Sequence, residues 1–260
     1  MKRAYYKVYT TLSIFVRQAK LKLKLKHNFK RRTSMKHKTV LSFNELRDEY
    51  INEIRPRTAN QKKYWNMLAD DSKSIVIAHG PAGCGKTLLA TQNGIDLMKL
   101  QKIEKIVVTR PVVGADEDIG FLPGTLNKKM EPWTRPLYDI FHKNYTVNRV
   151  KKMVNDEQIE IAPLAFMRGR TFENCYIIAD EMQNTTVNQF KMLLTRIGEG
   201  SKLVITGDLG QTDRGKENGM KDFLTKLKAV ESKYIFDVQL HGEDIQRHHA
   251  VTEALSIYGD

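Results

Sequence analysis

Six short apolar runs recur along the chain: Ser74 to His79, Ile103 to Thr109, Ile159 to Ala162, Cys175 to Asp180, Lys202 to Gly207 and Tyr234 to Gln239. They are rich in Ile and Val and do not alternate apolar with polar positions, the pattern of strands buried on both faces. Between them lie longer stretches with helical spacing: Lys86 to about Leu100, residues 137–155, Val187 to Ile197 and Gly219 to Val230. Strands alternating with helices predict an α/β fold, a mostly parallel sheet with helices on both faces. Its crossovers should be right-handed, with a ligand at the carboxyl ends of the strands. Upstream, Leu41, Phe43, Leu46, Tyr50, Ile51 and Ile54 predict a helical entry that breaks at Arg55-Pro56, and Tyr64, Trp65 and Leu68 a second helix. Asp116 to Gly124 reads as a loop, and Pro132 and Pro136 predict a turn near Trp133.

The first apolar run leads into Gly80-Pro81-Ala82-Gly83-Cys84-Gly85-Lys86-Thr87, which fits the pattern G-x-x-x-x-G-K-[ST]. Glycines let the main chain curl until successive N–H groups point at phosphate oxygens, and the helix that follows adds its positive end. Lys86 is then the residue for the outer phosphates and Thr87 for Mg²⁺. Cys84 reads as a small filler in this loop. The fourth run ends in Asp180 and Glu181. Carboxylates at a buried strand tip are costly unless a cation is near, so Asp180 suits Mg²⁺ and Glu181 suits activation of an attacking water. A second acid favours hydrolysis over transfer to a metabolite. The fifth run ends Gly207-Asp208-Leu209-Gly210-Gln211. Gln211 is placed to sense the outer phosphate, and Asp208 to bond the same cluster. Gln61, upstream of the loop, is a candidate for reading adenine. Arg168, Arg170 and Arg247 are candidates for stabilising transition-state charge. His248 and His249 lack a matching ligand set for a metal.

Charge changes the picture only at one end. The 260 residues carry a formal net charge of +13, yet 13 of the 43 Lys/Arg fall in residues 1–38, and no acid precedes Glu45. The remaining 30 basic residues balance 30 acidic ones. Residues 39–260 are therefore expected to form one neutral domain behind a basic arm. A nucleic-acid-binding arm, a targeting segment, and a stretch upstream of a true start at Met35 are all readings of residues 1–34. Lys30-Arg31-Arg32 can be encoded by the purine-rich bases of a ribosome-binding site, which favours Met35; the net charge would then be +2. No run of 18 apolar residues is present, so no membrane span is expected. Two cysteines, Cys84 and Cys175, make neither a disulfide framework nor a metal site, and a cytoplasmic location follows as the default.

Five stretches together resemble the PhoH family of P-loop ATPases: HGPAGCGKT, Thr109 to Gly124, MRGRTFENCYIIADEMQNTT, LLTRIGEGSKLVITGDLGQTD and EDIQRHHAV. They run in the family's order from about residue 58 to residue 251. The resemblance implies a RecA-like core similar to one motor domain of superfamily 1 helicases, binding ATP with Mg²⁺. It also implies Lys86 and Thr87 at the phosphates, Asp180 and Glu181 as the second acidic motif, Gln211 after the strand that ends in Gly207-Asp208, and Arg247 as a late arginine. Met182 and the His248-His249 pair depart from the family's usual residues. Two functions follow as expectations. The first is a Mg²⁺-dependent ATPase linked to RNA or single-stranded DNA. The second is a nucleotide-dependent switch with little turnover. Superfamily 1 motors close ATP between two such domains and this chain has room for one. A homo-oligomer, such as a ring, would supply Arg170 or Arg247 from a neighbour.

Overall fold

Strand-forming residues that face protein on both sides have no solvent side to make polar, and that is how the sheet is built. The computed structural model describes residues 54–111, 126–211, 218–246, 250, 253 and 257, with main chain alone over 126–134. The basic arm, the helical entry before residue 54, the loop from Asp116 to Gly124, and Arg247, His248 and His249 lie outside the described residues. Six strands pair in parallel: β1 (Ile75–His79), β2 (Lys105–Arg110), β3 (Ile159–Pro163), β4 (Cys175–Ala179), β5 (Lys202–Gly207) and β6 (Ile235–Gln239). Their order is β3-β2-β4-β5-β1-β6. Every residue of β1, β4 and β5 is buried.

Alternate residues of each strand feed two core layers. Val76, Ala78, Ile106, Val108, Tyr176, Ile178 and Val204 face one layer. It is completed by α1 (Ala59–Ala69), α2 (Lys86–Lys99), α3 (Leu126–Asn144) and α4 (Val147–Asn155). Ile75, Ile77, Val107, Ile177, Leu203 and Ile205 face the other, under α5 (Val187–Leu194) and α6 (Gly219–Leu227). This is the α/β doubly covered parallel sheet expected of a RecA-like P-loop protein. Close approach of α2 to the sheet depends on Gly94, where a Cβ would lie 2.8 Å from the Tyr176 ring.

Helix ends are set by local chemistry. Thr58 and Gln61 form a reciprocal capping box at the start of α1, and Thr186 and Gln189 do the same for α5. The turn expected near Trp133 does not form, because Pro132 and Pro136 both lie inside α3. Each proline removes a donor and crowds the preceding turn, at a cost of about 3 kcal/mol in a helix interior. The buried stripe Leu137, Ile140 and Phe141 offsets this by anchoring α3 in the core. The single helical stretch expected over 137–155 is divided. The buried Asn144 side chain locks onto Gln92 at 2.9 Å, and Thr146 caps α4 by accepting from the Arg149 N–H at 3.3 Å.

The far end of α1 is closed by a buried lysine. Lys202, on β5, donates to the Leu68 and Asp70 carbonyls at 2.6 and 2.8 Å. Burial lowers its pKa from 10.5 to about 8, while the Asp71 and Asp70 carboxylates oppose the shift. The unfolded chain therefore keeps this proton up to about pH 10.5, whereas the folded chain releases it above about pH 8. Stability should rise with pH inside that window and be insensitive to this group below it. Denaturant melts of wild type and Lys202→Met between pH 7 and 10 check this. Wild type should gain on the variant by about 2 kcal/mol across the window, and parallel curves would refute it.

Candidate nucleotide site

The strand order makes the site. In sequence the chain passes from β1 to β2, but in the sheet β5 and β4 stand between them. The crossover opens a crevice at the strand tips, and the tips of β4, β5 and β1 lie side by side beneath it.

The loop from Gly80 to Gly85 leaves β1 with φ of +146°, +85° and +89° at Gly80, Gly83 and Gly85. A Cβ at Gly80 would sit 2.2 Å from the Leu240 carbonyl oxygen, so only glycine fits there. The Gly80 N–H donates to Gly207 O at 3.2 Å, stitching the loop to β5. α2 begins at Lys86, and its N-cap, Gly85, makes no side-chain capping bond. The first N–H groups of α2 therefore have no side-chain cap from that residue, an arrangement that suits phosphate oxygens. Lys86 Nζ donates to the carbonyls of Gly80 (2.6 Å) and Pro81 (2.8 Å). Cys84 Sγ is 3.6 Å from the same ammonium. Burial pushes the Cys84 thiol up, with the Lys86 charge pulling the other way. Cys84 is fully buried.

Asp180 and Glu181 follow β4. The Asp180 carboxylate accepts from Thr87 Oγ1 at 2.8 Å and also from Thr206 Oγ1. Its N–H donates to Thr109 O on β2 at 2.9 Å. Glu181 is held at φ +56°, a left-handed conformation that disfavours side chains and gathers at functional sites. Its carboxylate accepts from Gln183 Nε2 at 2.6 Å, and Gln183 Oε1 accepts from the Asp208 N–H at 3.0 Å. Asp208 in turn shapes the next turn. Its carboxylate accepts from the Gly210 N–H at 2.9 Å and its carbonyl from the Gln211 N–H at 3.1 Å. The turn that carries Gln211, whose side chain is exposed, is thereby tied to Glu181 through one buried amide.

Thr206 and Gln183 are the residues that sequence reasoning missed. Thr206 had a signal, since a threonine inside the run Leu203 to Gly207 needs a polar partner once buried. Gln183 had none beyond lying two residues past Glu181. Gln61 is buried, with every hydrogen-bonding position of its amide engaged. Its Nε2 donates to Cys84 O (3.0 Å) and Asp244 O (3.1 Å), and its Oε1 accepts from the N–H groups of Arg57 (2.8 Å) and Thr58 (3.4 Å). Reading adenine would require it to leave these partners. Arg170 is not brought to the crevice of its own chain. It forks onto Glu160 of β3 at 2.5 and 3.0 Å, with three strands between β3 and β1, and Arg168 nearby is exposed.

Thr87, Asp180 and Thr206 present oxygen donors only. Mg²⁺ takes one or two such protein oxygens and completes its shell with water and phosphate, so this set fits it. Among the described residues no cluster of three His, Cys, Asp or Glu offers a cage for another metal.

A glycine cradle at a helix start, a lysine inside it and a carboxylate bonded to its terminal threonine define a P-loop nucleotide-binding protein. A family model described as PhoH-like protein matches residues 53–259, and the chain belongs to that family. It is 41% identical over 209 residues to a PhoH-like protein of Mycobacterium leprae, covering 80% of this chain and 59% of that one. It is 42% identical over 207 residues to a PhoH-like protein of Bacillus subtilis (79% and 64% covered). It is 38% identical over 203 residues to Protein PhoH of Escherichia coli (76% and 57%). The chain thus spans about three-fifths of the length of these curated relatives. Among solved structures it is similar to the Pyrococcus furiosus Hef helicase domain, with a TM-score of 0.43 and 14% identity, covering 76% of this chain and 41% of that one. The Pif1 helicase from Candida albicans gives a TM-score of 0.40 at 18% identity, with 77% and 42% covered. No helix among the described residues is long and apolar enough to cross a membrane.

Proposed function

We propose that this protein is a Mg²⁺-dependent ATP hydrolase of the cytoplasm that works on single-stranded nucleic acid as a homo-oligomer. The observation that carries hydrolysis is the 2.8 Å bond between Thr87 and Asp180, with Glu181 as the next residue. It sets a cradle for phosphates against a carboxylate free of metal duty. In this reading the loop N–H groups and Lys86 hold the β- and γ-phosphates. Binding transfers the Lys86 ammonium from the Gly80 and Pro81 carbonyls to phosphate oxygens. Glu181 takes the proton of the attacking water, its orientation fixed by Gln183, and Gln211 lines up the same water from the tip of β5. Thr87 and Asp180 would hold Mg²⁺, which when bound would supply charge neutralisation at the phosphates.

An arginine for the transition state is expected from a neighbouring subunit, either Arg247 or Arg170. Arg170 would first have to release Glu160. Where translation starts at Met1 rather than Met35, the basic arm, with 13 Lys/Arg and no acid in its 38 residues, supports a polyanionic partner, RNA or single-stranded DNA. Phosphate release measured over a range of protein concentrations, with and without Mg²⁺ and single-stranded RNA or DNA, tests the reading. Hydrolysis should need Mg²⁺, rise in specific activity with protein concentration, and be stimulated several-fold by one nucleic acid. Tight ATP binding without release under any of these conditions would favour a nucleotide-dependent switch instead.

A further inference from the structure

The three glycines that let the phosphate loop curl also deprive it of side chains that could hold its shape. Something outside the loop must do so, and two residues of α1 lie beneath it. Gln61 and Tyr64 sit three apart on one helix face and both are buried. Tyr64 OH donates to Lys86 O at 3.3 Å, and Gln61 Nε2 donates to Cys84 O at 3.0 Å. The second amide hydrogen of Gln61 goes to Asp244 O, in the turn that follows β6.

That turn is fastened to the same helix and the same loop. The Asp244 carboxylate accepts from Thr58 Oγ1, from Asn60 Nδ2 at 3.0 Å and from the His241 N–H at 2.8 Å. Two residues on, the Gln246 N–H donates to Gly83 O at 3.2 Å. The Gln61 amide is therefore the point where the start of α1, the phosphate loop and the segment after β6 meet. A buried amide with all four positions satisfied in one geometry is a rigid three-way joint.

We propose that Gln61 is a positioning residue: through Cys84 O and Asp244 O it sets the phosphate loop in its nucleotide-accepting shape and couples that shape to the post-β6 turn. Its effect should then be blind to the base of the nucleotide, because it acts on the backbone that holds the phosphates. The consequence for catalysis rests on the hydrolase reading above. The consequence for the loop does not, and it can be measured without nucleotide.

Cys84 supplies that measurement. It is fully buried in the loop, and Cys175 is the only other cysteine. In a Cys175→Ala background, thiol labelling by a disulfide reagent reports how often the loop opens. Gln61→Glu keeps an oxygen for the Arg57 and Thr58 N–H groups, so it preserves the cap of α1. It replaces both donations, to Cys84 and Asp244, by oxygens facing oxygens. Cys84 should label at least about ten-fold faster in this variant, matching the loss of two buried hydrogen bonds. KM should rise by a similar factor for ATP, GTP, CTP and UTP alike, with kcat changed much less.

Asp244→Ala, which leaves Gln61 intact and frees the turn from Thr58, Asn60 and His241, should also speed labelling. It carries the test if Gln61→Glu does not give a cooperative melt. Unchanged Cys84 labelling in both variants would overturn the proposal. Loss of preference for ATP over the other triphosphates, with Cys84 still protected, would overturn it in favour of adenine reading. Faster labelling in a protein that binds no nucleotide would leave the joint standing and sink the hydrolase reading alone.

Discussion

Glu181→Gln is expected to lower kcat for ATP by about 10²–10⁴-fold, the usual contribution of a positioned general base, while leaving KM within a few-fold of wild type. The separation follows from where the two acids stand. Asp180 is bonded to Thr87 and Thr206 and, in the proposed reading, serves the metal side of the cradle. Glu181 has its carboxylate on Gln183, away from the Thr87–Asp180 bond. Replacing its oxygen by an amide keeps the volume and the left-handed backbone at φ +56°, so the tip of β4 should keep its shape. What disappears is the capacity to take a proton. Rapid-quench single turnover checks the step directly, and slow release of radiolabelled ATP from the variant shows that binding survives. A variant that hydrolyses within ten-fold of wild type would remove Glu181 from the chemistry and leave water activation to another group.

The two largest misreadings of the sequence both came from residues whose local rule lost to packing. Pro132 and Pro136 announce a break, yet α3 runs through them because Leu137, Ile140 and Phe141 are buried against the sheet. Residues 137–155 read as one helix, yet the Asn144–Gln92 contact ends it, and that contact spans 52 residues. Strands were legible because burial on both faces leaves an unbroken apolar run, and all six lie within a residue or two of the expected spans. Strand order was not legible: nothing in the spelling of β2 says that β5 and β4 will stand between it and β1. Yet that order is what sets Asp180 against Thr87, and the fourth run was matched to the loop only through its chemistry and a family resemblance.

At the site, legibility followed the same division. Gly80, Gly83, Gly85, Lys86 and Thr87 form a contiguous pattern whose spacing is dictated by the phosphate they cradle. Gln61, Gln183 and Thr206 work through contacts made at long range or around a turn, and a lone glutamine or threonine carries no such spacing. Gln61 is singled out in the sequence as a candidate for adenine, whereas its hydrogen bonds to Cys84 and Asp244 cross 23 and 183 residues and no local spacing announces them.

Lys86→Ala should abolish function in a way that Glu181→Gln does not. Lys86 is the only side-chain cation of the loop itself, and its ammonium already sits between the Gly80 and Pro81 carbonyls, inside the curl that the phosphates would enter. Its removal takes away a charge-assisted donor in both the bound state and the transition state. ATP binding and turnover should therefore fall together, with kcat/KM down by about 10³-fold. The fold should be spared. Lys86 is half-buried, so water can satisfy the two carbonyls it abandons, and the melting temperature should move by no more than a few degrees. Lys86→Arg is expected to fail as well, because a planar guanidinium cannot occupy the space of an ammonium that bonds two carbonyls five and six residues away. Equilibrium binding of a fluorescent ATP analogue separates the outcomes: Glu181→Gln should retain it and both Lys86 variants should lose it. Retained binding in Lys86→Ala with normal turnover would mean that the main-chain amides alone grip the triphosphate.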